Sequence, residues 1–261
     1  MLKRYLLAVG TLWLREVVRF VRQRNRIIGA LGTPLVFWLI IGSGLGRSFR
    51  SGSIGGEHYL EYSFPGALAL ILLFTSIFST ISIIEDRQVG FLQSVLVAPV
   101  PRSAIALGKI LGGASLALIQ ALIFLLLAPT VGISLSLQKL LALTGILFIV
   151  AFALTAVGFL IAWRMDSTQG FHAIMNLLLM PMWLLSGSFF PASGAPAWIR
   201  MIIHANPLTY GVGAIRRVLY LEHPQAAFDL PSLSACLAIS LLFGLTAFAA
   251  TTYVAARSQS R

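Results

Sequence analysis

Residues able to do acid–base, nucleophilic or metal chemistry are few in this chain and widely spaced. Asp166 and His172 lie six positions apart and form the one pair that suggests an integral membrane enzyme acting on lipid. Such an enzyme needs converging acid, base or metal groups. No His-Glu-x-x-His string and no Asp-rich cluster accompanies the pair. Cys236 is the single cysteine and sits in an apolar run. It excludes an intrachain disulfide and a Cys-x-x-Cys site, and it reads as a small core residue. The string GSGLGRS from Gly42 to Ser48 has the glycines of a phosphate-cradling loop. It carries Arg47 where such a loop needs lysine, and its glycine spacing is wrong. Small residues for close helix approach explain it better. The expectation is no catalytic residue, no metal site and no nucleotide site.

A different stretch raises a physical question: EDRQVGFLQSVLVAPVPRSAIALGK, from Glu85 to Lys109. Glu85, Asp86 and Arg87 place charges where an apolar run ends. A short helix is predicted from Gln88 to Val97. Its Phe91, Leu92, Val95 and Leu96 share one face by spacing. Pro99 and Pro101 stop it. Arg102 and Ser103 open the next element, Ser103 as an N-cap, and Lys109 lies near enough to an interface to snorkel. Burying each large apolar side chain contributes roughly 1.5–3 kcal/mol, so this face needs a partner. The inner leaflet and a groove on another protein both qualify.

The elements around this stretch are membrane spans. The chain has 261 residues, of which 58% are hydrophobic and 10% charged, against about 25% charged in soluble domains. Long uninterrupted apolar runs predict an all-α integral membrane protein with six spans, roughly 27–46, 62–84, 104–131, 140–163, 171–190 and 233–254. Span three is the longest and is read as tilted or partly outside the hydrocarbon. With the N-terminus inside, only Arg47, Arg50, Lys139, Arg200, Arg216 and Arg217 among the Lys and Arg residues fall outside. That bias predicts cytoplasmic termini. It also accounts for the net charge of +11 without a nucleic-acid partner. Arg15, Glu16 and Arg19 interrupt the first apolar stretch, so no secretory signal is expected.

Residues 1–26 read as an amphipathic helix. Arg15, Arg19, Arg22 and Arg26 share one arc, with Leu6, Val9, Trp13, Val17 and Phe20 opposite. The pattern predicts a helix in the headgroup plane, arginines toward anionic lipid; packing against a partner protein is the alternative. The spans hold no Asp, Glu, Lys or Arg near their centres. Ion-driven pumps usually place such groups there, so an external energy source is expected.

The string from Glu85 to Lys109 resembles the cytoplasmic loop of ABC-transporter membrane subunits of the type-2 export class, which work beside drug, polysaccharide and lipo-oligosaccharide export ATPases. The matching residues are Glu85, Arg87, Gly90, Leu92, Leu96, Ala98, Pro99, Arg102, Gly108 and Lys109. Phe91 and Gln93 depart, standing where the family often has Thr and Glu. FPASGAPAWIRMIIHANPLTYGVGAIR, from Phe190 to Arg216, is similar to the family's outer region before the last span.

The resemblance implies that residues 85–103 form a coupling loop whose short helix docks into a cleft on a separate ATPase, with Phe91 and Val95 completing its apolar face. Two ATPase copies would bind ATP and Mg, so this chain needs no cofactor. It further implies a permease dimer in the inner membrane with a path between the copies. Thr75, Ser76 and Ser79 on span two, and Met175, Asn176 and Met180 on span five, are the polar or adaptable candidates to line it; helix packing is the alternative for each. Trp198, Asn206, Pro207 and Arg216, within residues 191–232, are expected at an outer gate. A channel without ATP coupling would leave the Glu85–Lys109 stretch unexplained.

Overall fold

The computed structural model describes residues 2–49, 59–188, 192–222 and 230–257, without the side chains of residues 24–26, 45–49 and 193. The side chains of Arg26 and Arg47, the positions of Arg50, Phe190 and Pro191, and parts of the outer segments therefore lie outside the described residues.

Every regular element among the described residues is helical. Helix α1 spans Leu2–Arg22 and α2 Arg24–Phe49, separated at Gln23. Then come α3 (Tyr59–Ser79), α4 (Ile81–Gln88), α5 (Phe91–Val97) and α6 (Arg102–Leu125). Helices α7 (Leu137–Ala162), α8 (Thr168–Trp183), α9 (Ala197–Ala205), α10 (Pro207–Leu219) and α11 (Leu233–Arg257) complete the chain. Among the described residues six segments are long and apolar enough to cross a membrane: Ile27–Gly44, Tyr59–Gln88, Arg102–Leu125, Leu137–Ala162, Thr168–Ser188 and Leu233–Arg257. The protein is an all-α, multi-pass membrane protein.

Span ends shift by a few residues from those read off the sequence, and three boundaries have a local cause. The third span ends at Leu125, and Ala128–Val131 form a 3-10 turn closed by Gly132. Pro129 and the left-handed Gly132 set this stop, so no over-long tilted helix is needed. Helix α6 starts at Arg102 after an extended Pro101, and no side chain caps it; Ser103 lies within its first turn. The short helix starts at Phe91, because Gly90 takes φ +77° and turns the chain between α4 and α5. Only glycine adopts that conformation without strain.

Helix α3 is the centre of the bundle. It packs against α2, α6, α7, α8 and α10, and 89% of its spanning window is buried. Helices α2 and α11 lie at the periphery, with only 17% and 22% of theirs covered. Their large apolar side chains, such as Ile28, Ile40, Leu242 and Leu245, face outward. That arrangement suits lipid, which solvates Leu and Ile as well as a protein core does. The α1, α4 and α5 helices, the α7–α8 link and the C-terminal turn of α11 gather at one end; α9 and α10 cover the other.

Candidate functional site

The α4–α5 end holds a buried ionic cluster. Asp86, fully enclosed, accepts two hydrogen bonds from Arg15 at 2.7 and 2.6 Å, one from Arg19 at 2.9 Å and one from Lys109 at 2.6 Å. Lys109 also donates to Glu16 at 2.7 Å, and Arg19 to Glu85. Three cations thus meet three carboxylates from α1, the α3–α4 segment and α6. The hydrogen bonds that Arg15 donates to Asp86 hold its pKa above the ordinary value, against the burial that lowers it.

Packing brings these charges together. Helix α1 lies on the glycines of α6, where a Cβ on Gly108 would fall 2.8 Å from Leu12 and one on Gly112 2.6 Å from Glu16. The Gly108–Gly112 pair therefore serves packing within one copy. Val9, Leu12, Glu16 and Phe20 are buried in this seam, and the outward face of α1 carries Leu2, Leu6, Leu7, Leu14, Val18 and Val21. This corrects the expected orientation. Arg15 and Arg19 turn inward to carboxylates rather than out to headgroups, and Val9 and Phe20 leave the lipid face. Trp13 donates to Ser115 of α6 at 3.1 Å, and Arg22 is exposed at the end of α1. Lys109, expected to snorkel, is buried in two ion pairs.

The short helix α5 is tied to this cluster. Arg15 lies 3.6 Å over the Phe91 ring, Leu92 is buried in the core, and Leu96 packs against it. Phe91 and Leu92 are thus spent on their own chain, a correction to the expectation that they insert into a partner. Val89 and Val97 are 74% and 86% exposed, and Gln93, Ser94 and Pro99 are exposed beside them. Val95 and Arg102 are half-buried between the two sets. On the other side Arg87 donates to the carbonyls of Trp163 and Met165 and to Asp166, at 2.7 Å for the last. Gln88 donates to the Asp166 carbonyl at 2.9 Å. Helix α4 is thus clamped to α1, α6 and the α7–α8 link at once, and α5, which follows it across Gly90, is held to α1 by the Arg15–Phe91 contact.

The hydroxyl strip on α3 is a packing seam. Thr75 donates to Gln120 and Ser79 to the Ser76 carbonyl, and all three hydroxyl residues are buried within one copy. Gly113 and Gly158 bring α6 and α7 so close that a Cβ would collide with Ser79 and Thr80. Thr75, Ser76 and Ser79 therefore cannot line a path between copies. On α8 the periodicity splits the candidates. Met175 is buried with Phe171, Leu179 and Trp183, while Asn176 and Met180 are on the exposed face with His172 and Leu177.

At the other end α8 breaks. Pro181 precedes a π-turn over Leu184–Ser188, in which Gly187 takes φ +77°. The carbonyls this frees are met by α10. Asn206 donates to Met182 at 2.6 Å and Leu185 at 3.0 Å while accepting from the Leu208 amide, which makes it the N-cap of α10 with Pro207 next in line. Arg216, only 4% exposed, donates to Tyr62 at 3.2 Å and Gly187 at 3.3 Å and lies over the Tyr62 ring. Arg216 is no rim residue, whereas Trp198 is 64% exposed on α9.

Asp166 is paired with Arg87, and His172 rests against the Phe78 ring. Among the described residues no group of three or more His, Cys, Asp or Glu is placed to hold a metal. A family profile described as ABC-2 type transporter matches residues 8–220, from α1 through α10. The chain belongs to the ABC-2 type transporter family. This permease is 27% identical over 205 residues, 77% of its chain and 70% of the relative, to a Cyanophora paradoxa protein named "Putative transport permease ycf38". It is 25% identical to Nodulation protein J of Neorhizobium galegae over 83% of this chain and 82% of that one. It is 23% identical to the Inner membrane transport permease YadH of Escherichia coli over 83% and 84%. The permease is a transport subunit rather than an enzyme, and the lipid-enzyme alternative built on Asp166 and His172 falls away.

Sequence reading missed the inward partners, Glu16, Asp86 and Lys109. The signal was present: Glu16, Glu85 and Asp86 are three of only eight Asp and Glu in the chain, and each stands next to an arginine or one residue from it, and buried cations need anions.

Proposed function

We propose that this permease is the membrane subunit of an ATP-driven exporter. It works as a homodimer in the inner membrane with cytoplasmic termini. Two copies of a separate ATPase, which hold ATP and Mg, dock on the exposed side of α5: Val89, Gln93, Ser94, Val97 and Pro99. The observation that carries this reading is the clamp at the root of α5. Helix α4, which α5 follows across Gly90, is fixed to α1, α6 and the α7–α8 link, and Arg15 of α1 lies over Phe91, so a push on the seven-residue α5 reaches three elements. The inner-membrane placement draws on the name carried by the Escherichia coli relative.

The path between copies runs along the outward face of α8. An asparagine in a span is costly against lipid, so Asn176 and Met180 face a second copy or the path. Phe37 of α2 meets Trp183 on the opposite, buried face of α8 at 5.6 Å between ring centroids, so α2 backs α8 from behind that path. Asn206 and Arg216 hold the broken end of α8 as the outer gate, and Trp198 anchors α9 in the outer leaflet.

The test is co-purification with a candidate partner ATPase and ATP-dependent transport in proteoliposomes. V89E/V97E should fold normally and lose both. Cargo movement by the purified permease without any ATPase would overturn the proposal.

A further inference from the structure

The link between α7 and α8, residues 163–167, is fixed by its backbone. Arg87 donates to the carbonyls of Trp163 and Met165, and Gln88 to that of Asp166 at 2.9 Å. These bonds use main-chain acceptors and leave side chains outward. Arg164, Asp166 and Ser167 are exposed, as is Gln169 in the first turn of α8. Asp166 is already committed to Arg87 at 2.7 Å. Arg164 has no ion pair among the described residues. A groove of about 950 Å³ separates the link from α5, with Arg164 and Asp166 lining it from the link and Gln93 and Leu96 from α5. Gln93 is exposed and belongs both to this groove and to the side of α5 on which the ATPase is proposed to dock. The two surfaces are therefore continuous.

We infer that the ATPase grips each permease copy at a second point, through an acidic segment that enters this groove and pairs with Arg164. The inference rests on the exporter reading and deepens it. Three features select this occupant. The surface continues from the α5 docking side. Arg164 is a cation without a counter-charge, and Asp166 beside it is neutralised by Arg87, so an incoming carboxylate meets net attraction. Gln93, Ser167 and Gln169 surround Arg164 with neutral polar groups, the composition of a protein interface rim rather than of a bed for hydrocarbon. A link already braced by Arg87 and Gln88 also loses little freedom on binding. The consequence is mechanical. The link runs straight into α8, the span proposed to line the path, so a push at Arg164 reaches α8 without passing through α5. The bonds of Arg87 and Gln88 keep the two points of contact at a fixed separation.

The experiment measures binding of a candidate partner ATPase to the purified permease in detergent, for the wild type, R164E and R164K. R164E should bind about tenfold more weakly, because it sets like charges against each other across the interface, and R164K should stay near the wild type. The unfolding midpoint of R164E should not move, since Arg164 has no ion pair in its own chain to lose. In a second measurement Q169C is labelled with a maleimide, against the buried and silent Cys236; bound ATPase should protect it. Equal binding by R164E and the wild type overturns the inference, as does full labelling of Q169C in the complex. If R164E lowers the unfolding midpoint, the protection of Q169C decides alone. ATPase binding that survives V89E/V97E but falls in R164E would sink the α5 docking side and leave the Arg164 contact standing, so the two readings fail separately.

Discussion

At the α4–α5 end, buried cations face buried carboxylates; at the opposite end, Asn206 and Arg216 face backbone carbonyls. The first arrangement joins elements distant in sequence: Lys109 and Glu16 are 93 positions apart. The second repairs a local break in α8. The energetics differ accordingly. A buried ion pair gains little over a well-packed apolar pair, yet breaking it strands a charge in a poor solvent. A carbonyl that loses its donor costs only its own desolvation. The cluster therefore fixes geometry steeply, and the break in α8 is held more gently.

That contrast can be broken or sharpened by substitution. The largest effect is expected from Asp86→Ala, which leaves Arg15, Arg19 and Lys109 facing two carboxylates. It should destabilise by about 3–5 kcal/mol, read as a lowered unfolding midpoint in detergent. A loss below about 1 kcal/mol would mean that water already reaches the cluster. Arg216→Met should cost about 2–3 kcal/mol by orphaning the Tyr62 and Gly187 carbonyls; if it cost more than Asp86→Ala, the contrast would be reversed. Asn206→Ala should cost about 1–2 kcal/mol for the lost cap and carbonyl bonds, with proteolysis of the α8–α9 turn as the readout. Gly112→Ala tests the seam beneath the cluster and should cost about 1–2 kcal/mol by pushing α1 off α6. The smallest stability change, within about 0.5 kcal/mol, belongs to Val97→Glu. It should nonetheless abolish ATPase binding in a pull-down, because Val97, 86% exposed, stands on the proposed docking side of α5.

Much of this architecture is legible in the sequence because the hydrocarbon thickness sets span length, and runs such as Leu137–Ala162 carry no competing signal. The periodicity also groups Arg15 with Arg19 correctly. It does not say which way that face turns. In water the polar face of a helix looks outward; beside lipid the apolar face can, and α1 takes that course with Leu7, Leu14 and Val18 outside. The same inversion hides the role of Leu92, whose apolarity fits a partner's cleft and its own core equally well. The hydroxyls of α3 fail for another reason. Thr75 and Ser79 are as polar in a packing seam as in a channel wall, and only the proximity of Gly113 and Gly158 separates the two. The Asn-Pro string marks a helix start at Asn206 and Pro207, but the Met182, Leu185 and Gly187 carbonyls that Asn206 and Arg216 serve are exposed by a break that depends on Pro181 and Gly187 together.

The enclosure of α3 has a mechanical consequence. Residues such as Leu68, Ile71, Leu72 and Ile77 are wholly covered, and neighbours touch the helix on every side. Rotating or sliding it would mean repacking five helices at once. It is therefore the axle of each copy, and any rearrangement during a working cycle falls to α2, α8 and α11, the rim that turns around it.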